Sequence, residues 1–214
     1  TVSFAAATAI SASNAGAGIA VGDLDGDGRV DLARAGSLGT VTIHRNTGTT
    51  PGTISFAAPI NLGVGSDDYA VLITDLNTDG RNDLVVSRFS GNELRVLRNV
   101  SRPGGAIDLR VMPALAGSGG LIGIAAADLN GDGVPDLAAA QNTAGTVALW
   151  RGTHAADGAD VSFAAPVAAA INGSPISVTA GDFDLDGKPD LLSANFIPQS
   201  SPSGQNVSVV RNTT

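Results

Sequence analysis

Short hydrophobic and polar runs alternate along the whole chain, and they recur as a unit. Apolar segments at residues 18–22, 70–73, 122–126 and 176–180 each precede a polar loop, and further segments at 32–35, 84–87, 137–140 and 191–194 follow it. Runs of four or five apolar residues that end at polar loops are typical of β-strands and too short for helices. The pattern therefore predicts one strand before and one strand after each polar loop.

A third strand with alternating apolar residues follows each pair. Its apolar positions share one face, and each copy ends in an arginine. The apolar pairs are Val41/Ile43, Leu94/Val96, Val147/Leu149 and Val207/Val209, and the arginines are Arg45, Arg98, Arg151 and Arg211. We expect these arginines to form ion pairs between blades or to bond to carbonyls. Fourth strands are predicted at residues 54–59, 107–111 and 161–166, with the remaining copy at residues 2–6.

Four short antiparallel strands per repeat, with no helical pattern, predict an all-β protein. The repeat length of 52 to 54 residues is typical of β-propeller blades. We expect residues 1–214 to form one propeller domain of four-stranded antiparallel blades. A strand within residues 1–10 would complete the last blade by pairing with residues 207–211, which closes a four-bladed ring. Part of a larger propeller, or two chains in an eight-bladed ring, also fits the sequence.

The polar loop between the first two strands is the same acidic motif in all four repeats. It reads Asp-x-Asp/Asn-x-Asp-Gly-x-x-Asp and occupies residues 23–31, 75–83, 128–136 and 182–190. These loops contain 14 of the 20 acidic residues of the chain. Carboxylates about 4 Å apart repel by roughly 4 kcal/mol at an effective dielectric constant of about 20. Such clustering indicates that each loop binds a cation.

The ligands that the loops offer are all oxygen atoms, which favours calcium over softer metals and over the geometrically stricter magnesium. Positions 1, 3, 5 and 9 would coordinate through side chains, and position 7 through its carbonyl. The predicted ligands are Asp23, Asp25, Asp27, Arg29 and Asp31; Asp75, Asn77, Asp79, Arg81 and Asp83; Asp128, Asn130, Asp132, Val134 and Asp136; and Asp182, Asp184, Asp186, Lys188 and Asp190. We therefore expect about four Ca²⁺ ions per chain.

Other acidic loop motifs fit less well. An EF-hand needs a glutamate at position 12, where this chain has Arg34, Val86, Ala139 and Ser193. Calcium-binding β-helices repeat every nine residues, which is far shorter than the period here. Ordinary Asp/Asn-Gly turns would explain one loop, but four copies in register favour metal sites.

The acidic net charge of the chain argues against some classes of binding partner. The formal net charge is −8, which four Ca²⁺ ions would neutralise. An acidic chain without a basic block is unlike a nucleic-acid-binding protein. Because no apolar run approaches 18 residues, we expect no membrane span. Exposed calcium loops fill most easily where calcium is plentiful, which favours an extracellular or cell-surface location.

The loops and their flanking strands resemble a known repeat family. Val21-Gly22-Asp23-Leu24-Asp25-Gly26-Asp27-Gly28 and its three counterparts, with the Arg-Asn strand ends and the Phe-Ala-Ala-Pro segments, are similar to FG-GAP/VCBS-type repeats. Such repeats occur in integrin α-subunit heads, fungal propeller lectins and secreted bacterial proteins. The resemblance covers essentially the whole chain and implies a β-propeller with calcium between strands one and two of each blade. Family members usually have six to eight blades, so the count of four is a departure.

The loops at the opposite end of the blades form the predicted binding surface. Its candidate ligand-binding residues are Tyr69, Phe89, Asn142 and Phe196. Exposed aromatic rings could stack on sugar rings or anchor a protein. In the alternative interpretation, Phe89 and Phe196 only fill gaps between blades.

The sequence favours a secreted or cell-surface calcium-binding propeller that acts as an adhesion or recognition module for a glycan or a protein. The alternative is a structural propeller segment of a larger surface protein or assembly, which would include self-association or attachment to a larger chain. A glycan-active enzyme domain fits less well, because the sequence contains no Gly-x-Ser-x-Gly motif, P-loop or cysteine nucleophile. We therefore expect no enzymatic activity.

Overall fold

The fold is built entirely from β-strands in the part of the chain that the structure describes. The computed structural model describes residues 5, 7, 9–10, 16–36, 38–65, 67–154, 160–196 and 206–214. Within these residues no helix is long and apolar enough to cross a membrane.

The strands follow one another closely along the chain. They are β1 (Gly16–Gly22), β2 (Asp31–Gly36), β3 (Thr40–His44), β4 (Ile60–Gly63), β5 (Asp68–Thr74), β6 (Asp83–Arg88), β7 (Glu93–Asn99), β8 (Leu109–Val111), β9 (Leu115–Ala116), β10 (Leu121–Ala127), β11 (Asp136–Gln141), β12 (Thr146–Trp150), β13 (Gly152–His154), β14 (Val161–Phe163), β15 (Val167–Ala170), β16 (Ser174–Gly181), β17 (Asp190–Phe196) and β18 (Asn206–Val210).

Four antiparallel sheets, one per repeat, form the blades of a four-bladed β-propeller, as the repeat pattern predicted. Blade one is β1-β2-β3-β4, and blade two is β5-β6-β7-β8 with β9 also paired to β7. Blade three is β10-β11-β12-β15, and blade four comprises β16-β17-β18 among the described residues. The small hairpin β13-β14 lies between β12 and β15 of blade three in the sequence.

The apolar faces of neighbouring blades form three cores. Val41 and Ile43 of blade one pack with Val71 and Leu84 of blade two. The next core joins blades two and three, and the last joins blades three and four through residues such as Val147 and Val178. The alternation predicted for the third strands is therefore confirmed in blades one to three, where the apolar side points toward the next blade, whereas Val207 and Val209 of blade four are exposed.

Small residues allow the first strands of adjacent blades to approach closely. A Cβ atom added to Gly18 would lie 2.7 Å from the carbonyl oxygen of Tyr69 on the neighbouring strand. A Cβ atom on Gly123 would lie 2.6 Å from the Cα atom of Ser177. Both distances are shorter than any side-chain carbon tolerates, so glycine sets the spacing between these blades.

The predicted fourth strands are correct in blade two and wrong in blades one and three. Residues 54–59 form one isolated bridge, Asn46 to Phe56, and the paired strand is β4, which begins after Pro59. In blade three, residues 161–163 pair with β13, and the blade strand β15 begins after Pro166. Proline has no amide hydrogen for the ladder, so pairing begins only beyond it. The copy predicted at residues 2–6 lies outside the described residues, except for Ala5.

The blades pack in series along the chain. β1 packs on β5, β5 on β10 and β10 on β16, but β16 does not pack on β1 in this way among the described residues. Among the residues that the structure describes, the first and last blades therefore each have one sheet face that no other blade covers. The strand expected within residues 1–10, which would pair with residues 207–211, lies largely outside the described residues.

Candidate metal centres

All four acidic loops connect the first and second strands of a blade, so they lie at one end of the propeller. Each loop folds around the carboxylate of its first residue. In loop 23–31, Asp23 accepts hydrogen bonds from the amides of Gly26 at 2.7 Å and Gly28 at 2.8 Å. The corresponding glycine amides bond to Asp75, Asp128 and Asp182 at 2.8, 2.8 and 3.0 Å.

Left-handed backbone conformations make these tight loops possible. The position-6 glycines Gly28, Gly80, Gly133 and Gly187 have φ angles of 83°, 82°, 85° and 87°. Position 4 is also left-handed in every loop, and there the residues are Gly26, Thr78, Gly131 and Leu185 with φ between 58° and 77°. Leu185 is the bulkiest residue in this conformation, which L-residues other than glycine adopt at a cost of roughly 1–2 kcal/mol.

The aspartate at position 9 ties the loop to the blade. Asp83 accepts a hydrogen bond from the Leu76 amide at 2.9 Å and another from the Asn99 amide at 2.7 Å. Burial raises the pKa of Asp83 to about 6, although these two hydrogen bonds act in the opposite direction. Burial also raises the pKa of Asp31 and of Asp136. Each oxygen keeps a second lone pair, which leaves position 9 able to bind a cation.

Carboxylates converge in the first and fourth loops. Oxygen atoms of Asp23, Asp25 and Asp27 lie within 4.8 Å of one another, and so do those of Asp182, Asp184 and Asp190. Loops two and three have asparagine at position 3, where the amides of Asn77 and Asn130 bond to Asp79 and Asp132 at 3.0 Å. Carboxylate and amide oxygens are the ligands that hard divalent cations prefer. The acidic clusters could therefore hold a metal ion.

The position-7 residues contribute their backbones to this arrangement. Their amides donate to the position-5 carboxylates at 2.9 to 3.0 Å, and these residues are Arg29, Arg81, Val134 and Lys188. The side chains of Arg29 and Arg81 also form ion pairs with the position-5 aspartates Asp27 and Asp79. Carbonyl coordination at position 7 remains a prediction.

The strand-end arginines enter the acidic loops, which the sequence did not indicate. Arg45 bonds to Asp25 and places its Nη2 atom 3.6 Å from Asp27, within the same blade. Arg211 bonds to Asp184 at 2.5 Å, which lowers the pKa of that aspartate. The expectation of inter-blade ion pairs is therefore wrong for both of these residues.

Arg98 does form an inter-blade ion pair. Its Nη1 atom lies 2.7 Å from Oδ1 of Asp160, and its Nη2 atom lies 3.8 Å from Asp79 of its own loop. The third loop differs from the others because no ion pair involves its aspartates among the described residues. Its charge of −3 comes from Asp128, Asp132 and Asp136. Loop 128–136 therefore has the least internal compensation for its negative charge.

The candidate ligand-binding residues lie in different environments at the opposite end. Tyr69 and Phe89 form an aromatic pair with ring centroids 5.3 Å apart, and 39% of Tyr69 is exposed. Phe89 also contacts Gly120 of the next blade. Asn142 donates to the carbonyl of Pro175 at 3.1 Å, across the interface between blades three and four. Phe196 is half exposed.

A buried aspartate next to the aromatic pair belongs to none of the loops. Asp68 is 1% exposed, and its carboxylate oxygens accept no hydrogen bond. Burial raises the pKa of Asp68 to about 6, while Arg88, whose Nε atom lies 3.8 Å away, acts in the opposite direction. The sequence did not indicate that Asp68 is buried, because it shows only a short apolar strand after this residue.

Comparison with known proteins identifies the repeat. A family model described as FG-GAP-like repeat matches residues 23–86, 75–139 and 128–193, and each match begins at the first aspartate of a loop. Among solved structures, the chain is similar to the V. cholerae biofilm matrix protein Bap1, with 17% identity and a TM-score of 0.45. That likeness covers 93% of this chain and 38% of the Bap1 chain. No curated protein sequence matches.

Proposed function

Because the chain belongs to the family of FG-GAP-like repeats, we propose that it is a calcium-stabilised propeller that serves as a recognition module of an extracellular protein. The convergence of three carboxylates within 4.8 Å in loops 23–31 and 182–190 is the observation that carries the proposal. Without a cation, the carboxylates in each cluster repel one another, and a bound Ca²⁺ converts that repulsion into attraction. The proposed role of calcium is structural, and the proposed function involves no catalysis.

The ions would hold the loops that join the first two strands of each blade. Those loops also carry the position-2 residues that pack between blades, such as Leu24 and Leu76, which are 1% and 0% exposed. Calcium would therefore stabilise the contacts between blades as well as the loops. An extracellular location follows from the same argument, because exposed loops with these ligands fill readily only where calcium is abundant.

The proposed recognition surface is at the end of the propeller opposite the calcium loops. Tyr69 and Phe89 offer adjoining rings there, with centroids 5.3 Å apart and ring planes tilted by 44°. An aromatic ring with a hydroxyl group at its edge suits stacking on a sugar ring combined with one hydrogen bond. We therefore propose a glycan as the ligand, with a protein surface as the alternative.

Calcium binding is tested by isothermal titration calorimetry and by melting with and without a chelator. We expect Asp25→Ala and Asp184→Ala each to remove one bound ion, because each lies in a separate carboxylate cluster. Asp108→Ala is the matched control, since Asp108 is an exposed aspartate outside the loops. Unchanged stoichiometry in both loop variants, or an unchanged melting temperature after metal removal, contradicts the proposal.

Glycan binding is tested separately on a glycan array. We expect Tyr69→Ala to abolish the binding of any glycan that the wild-type chain retains, and Tyr69→Phe to weaken it only partly, because the ring remains. Phe183→Ala is the control, because Phe183 is an exposed aromatic residue at the end of the propeller that carries the acidic loops. Equal binding by the wild type and Tyr69→Ala excludes this surface as the glycan site.

A structural building block is the second candidate function. Its support is the exposure of apolar residues on the outer faces of the first and last blades, where Ile19 is 71% and Val209 is 61% exposed. Sheet faces of this kind are suited to assembly with other blades.

A further inference from the structure

Asn99 connects the second acidic loop to the first. It lies at the end of β7 in blade two and is 1% exposed. Its backbone amide donates to Oδ1 of Asp83, the position-9 aspartate of the second loop, at 2.7 Å. Its side-chain Nδ2 atom donates to the carbonyl of Asn82 in the second loop at 2.7 Å and to the carbonyl of Leu24 in the first loop at 2.8 Å. One buried side chain therefore joins two candidate metal centres in neighbouring blades.

The Leu24 peptide completes this connection, because both of its polar groups are bonded. Its carbonyl accepts the hydrogen bond from Asn99, and its amide donates to Oδ2 of Asp31 at 2.9 Å. Asp31 and Asp83 are the position-9 aspartates of the two loops, and they are 0% and 1% exposed. Hydrogen bonds in such buried surroundings are strong, and they are costly to leave unmade. A continuous series of buried hydrogen bonds therefore runs from Asp31 through Leu24 and Asn99 to Asp83.

Two further hydrogen bonds from blade two hold the first loop. The Nδ2 atom of Asn82 donates to the carbonyl of Asp23 at 3.0 Å, and the amide of Gly104 donates to the carbonyl of Asp25 at 2.6 Å. With the bond from Asn99, blade two thus binds the carbonyls of three consecutive residues, at positions 1 to 3 of the loop. Asp23 and Asp25 supply two of the carboxylates that converge there. Blade two therefore helps to set the geometry of the first carboxylate cluster.

The same connection recurs between blades four and three. The amide of Asn212 donates to Oδ1 of Asp190 at 2.8 Å, and its Nδ2 atom donates to the carbonyl of Leu129 at 2.7 Å. The amide of Leu129 donates to Oδ2 of Asp136 at 2.9 Å. The position-9 aspartates of the third and fourth loops are thus joined in the same way as those of the first and second.

The connection is interrupted between blades three and two. Gly152 occupies the place of Asn99 in blade three, since its amide donates to Oδ1 of Asp136 at 2.7 Å. Gly152 has no side chain that could donate to Leu76, the position-2 residue of the second loop. A larger residue does not fit there, because an added Cβ atom would overlap the carbonyl oxygen of Pro135. In the part of the chain that the structure describes, this side-chain connection therefore joins the first loop to the second and the third to the fourth, but not the second to the third.

We propose that calcium binding is cooperative within each of these two pairs of loops, with Asn99 and Asn212 as the positioning residues that couple the two sites. The inference rests on the proposed function, because it requires the loops to bind calcium. When the second loop binds its ion, Asp83 is restrained, and Asn99 then fixes the Leu24 peptide of the first loop. The first loop is then partly ordered, so it binds its own ion with a smaller loss of conformational entropy. The effect is reciprocal, so each ion of a pair raises the affinity for the other by the same factor.

A calcium titration that resolves the four sites tests the proposal. The position-6 glycine amides donate to the position-1 carboxylates of their own loops, so their NMR signals report each site separately: Gly28, Gly80, Gly133 and Gly187. Asp75→Asn removes a predicted ligand of the second site. We expect it to raise the calcium midpoint of the first site by about fivefold or more, as is typical of coupled sites, and to leave the third and fourth sites unchanged.

A matched variant and a double-mutant cycle separate coupling from a purely structural role of Asn99. Asp128→Asn disables the third site, and it should shift the fourth site but leave the second unchanged, because Gly152 interrupts the connection. In an Asn99→Ala background, Asp75→Asn should shift the first site by less than about twofold, as expected of independent sites. Circular dichroism of each variant verifies folding, and the comparison of Asp75→Asn with Asp128→Asn does not depend on the Asn99 variant.

The possible outcomes distinguish this inference from the proposed function. A first-site midpoint that Asp75→Asn leaves unchanged overturns the coupling, although calcium binding stands. Equal shifts of the first site with and without the Asn99 side chain also overturn it. If none of the four glycine signals of the wild type responds to calcium, the proposed function fails, and the coupling fails with it.

Discussion

Leu76 offers the sharpest test of how the acidic loops are fixed to the propeller. It is the second residue of loop 75–83 and is 0% exposed, in a core that also contains Leu94, Leu121 and Trp150. Leu185 is a leucine of loop 182–190 that is 87% exposed. The same substitution, leucine to alanine, can therefore be compared in two acidic loops with opposite burial.

The expected magnitudes differ because only one site loses packing. Truncating Leu76 to alanine removes about three buried methyl or methylene groups. At about 0.8 kcal/mol per group, this loss lowers the free energy of unfolding by about 2.5 kcal/mol. The cavity that remains adds to this cost, so Leu76→Ala should lower the free energy of unfolding by about 3–5 kcal/mol. Leu185→Ala should change it by less than about 0.5 kcal/mol, as is usual for surface sites.

Urea unfolding in calcium-saturated buffer measures both values. Fluorescence of Trp150, which lies in the same core as Leu76, follows the transition. The slope of free energy against urea concentration should be equal in the wild type and both variants, so that a change in midpoint reports stability alone. A loss below about 1 kcal/mol for Leu76→Ala, or equal losses for both variants, would refute the argument that the loop is anchored through the inter-blade core.

Three further substitutions test separate features. The raised pKa of Asp68, about 6, means that the native chain holds this proton more tightly than the unfolded chain, so the ionised group lowers stability above pH 6. Asp68→Asn should therefore raise the melting temperature at pH 7.5, and the gain should disappear between pH 6 and 4; a constant gain argues against this. Gly123→Ala should lower the free energy of unfolding in urea by about 1–3 kcal/mol, because the added Cβ atom would lie 2.6 Å from the Cα atom of Ser177. Gly63→Ala is the control and should lower it far less, because the added Cβ atom would enter open space. Leu185→Gly should raise the unfolding free energy by about 1 kcal/mol by relieving the φ of 63°, and a loss of stability would contradict that assignment.

Local sequence signals were sufficient for the repeated parts of the fold. The alternation of Val41 and Ile43 identified the face that packs on the next blade, since period-two patterns report burial directly. The position of the acidic loops between strands one and two also followed from the pattern. The fourth strands were harder to predict, because apolar residues lie on both sides of Pro59 and Pro166. Only hydrogen bonding with the third strand decides which side becomes the fourth strand.

Contacts between distant segments were beyond local patterns. Arg45 reaches Asp25 from the end of the third strand, which lies 20 residues away in sequence and depends on the register of two strand pairs. The burial of Leu24 and the exposure of Phe183 differ although both occupy position 2 of a loop, because only one of them has a following blade. Sequence repeats predict equivalent structure, but they do not predict which copies lack a neighbour.

The number of calcium ions bound per chain tests the account most directly. Equilibrium dialysis against millimolar Ca²⁺ with excess Mg²⁺, followed by elemental analysis, counts the ions while magnesium competes for unselective sites. We expect about four Ca²⁺ ions per chain, one for each of the loops at residues 23–31, 75–83, 128–136 and 182–190. A folded chain that retains no calcium under these conditions would contradict the proposal that the acidic loops are metal sites.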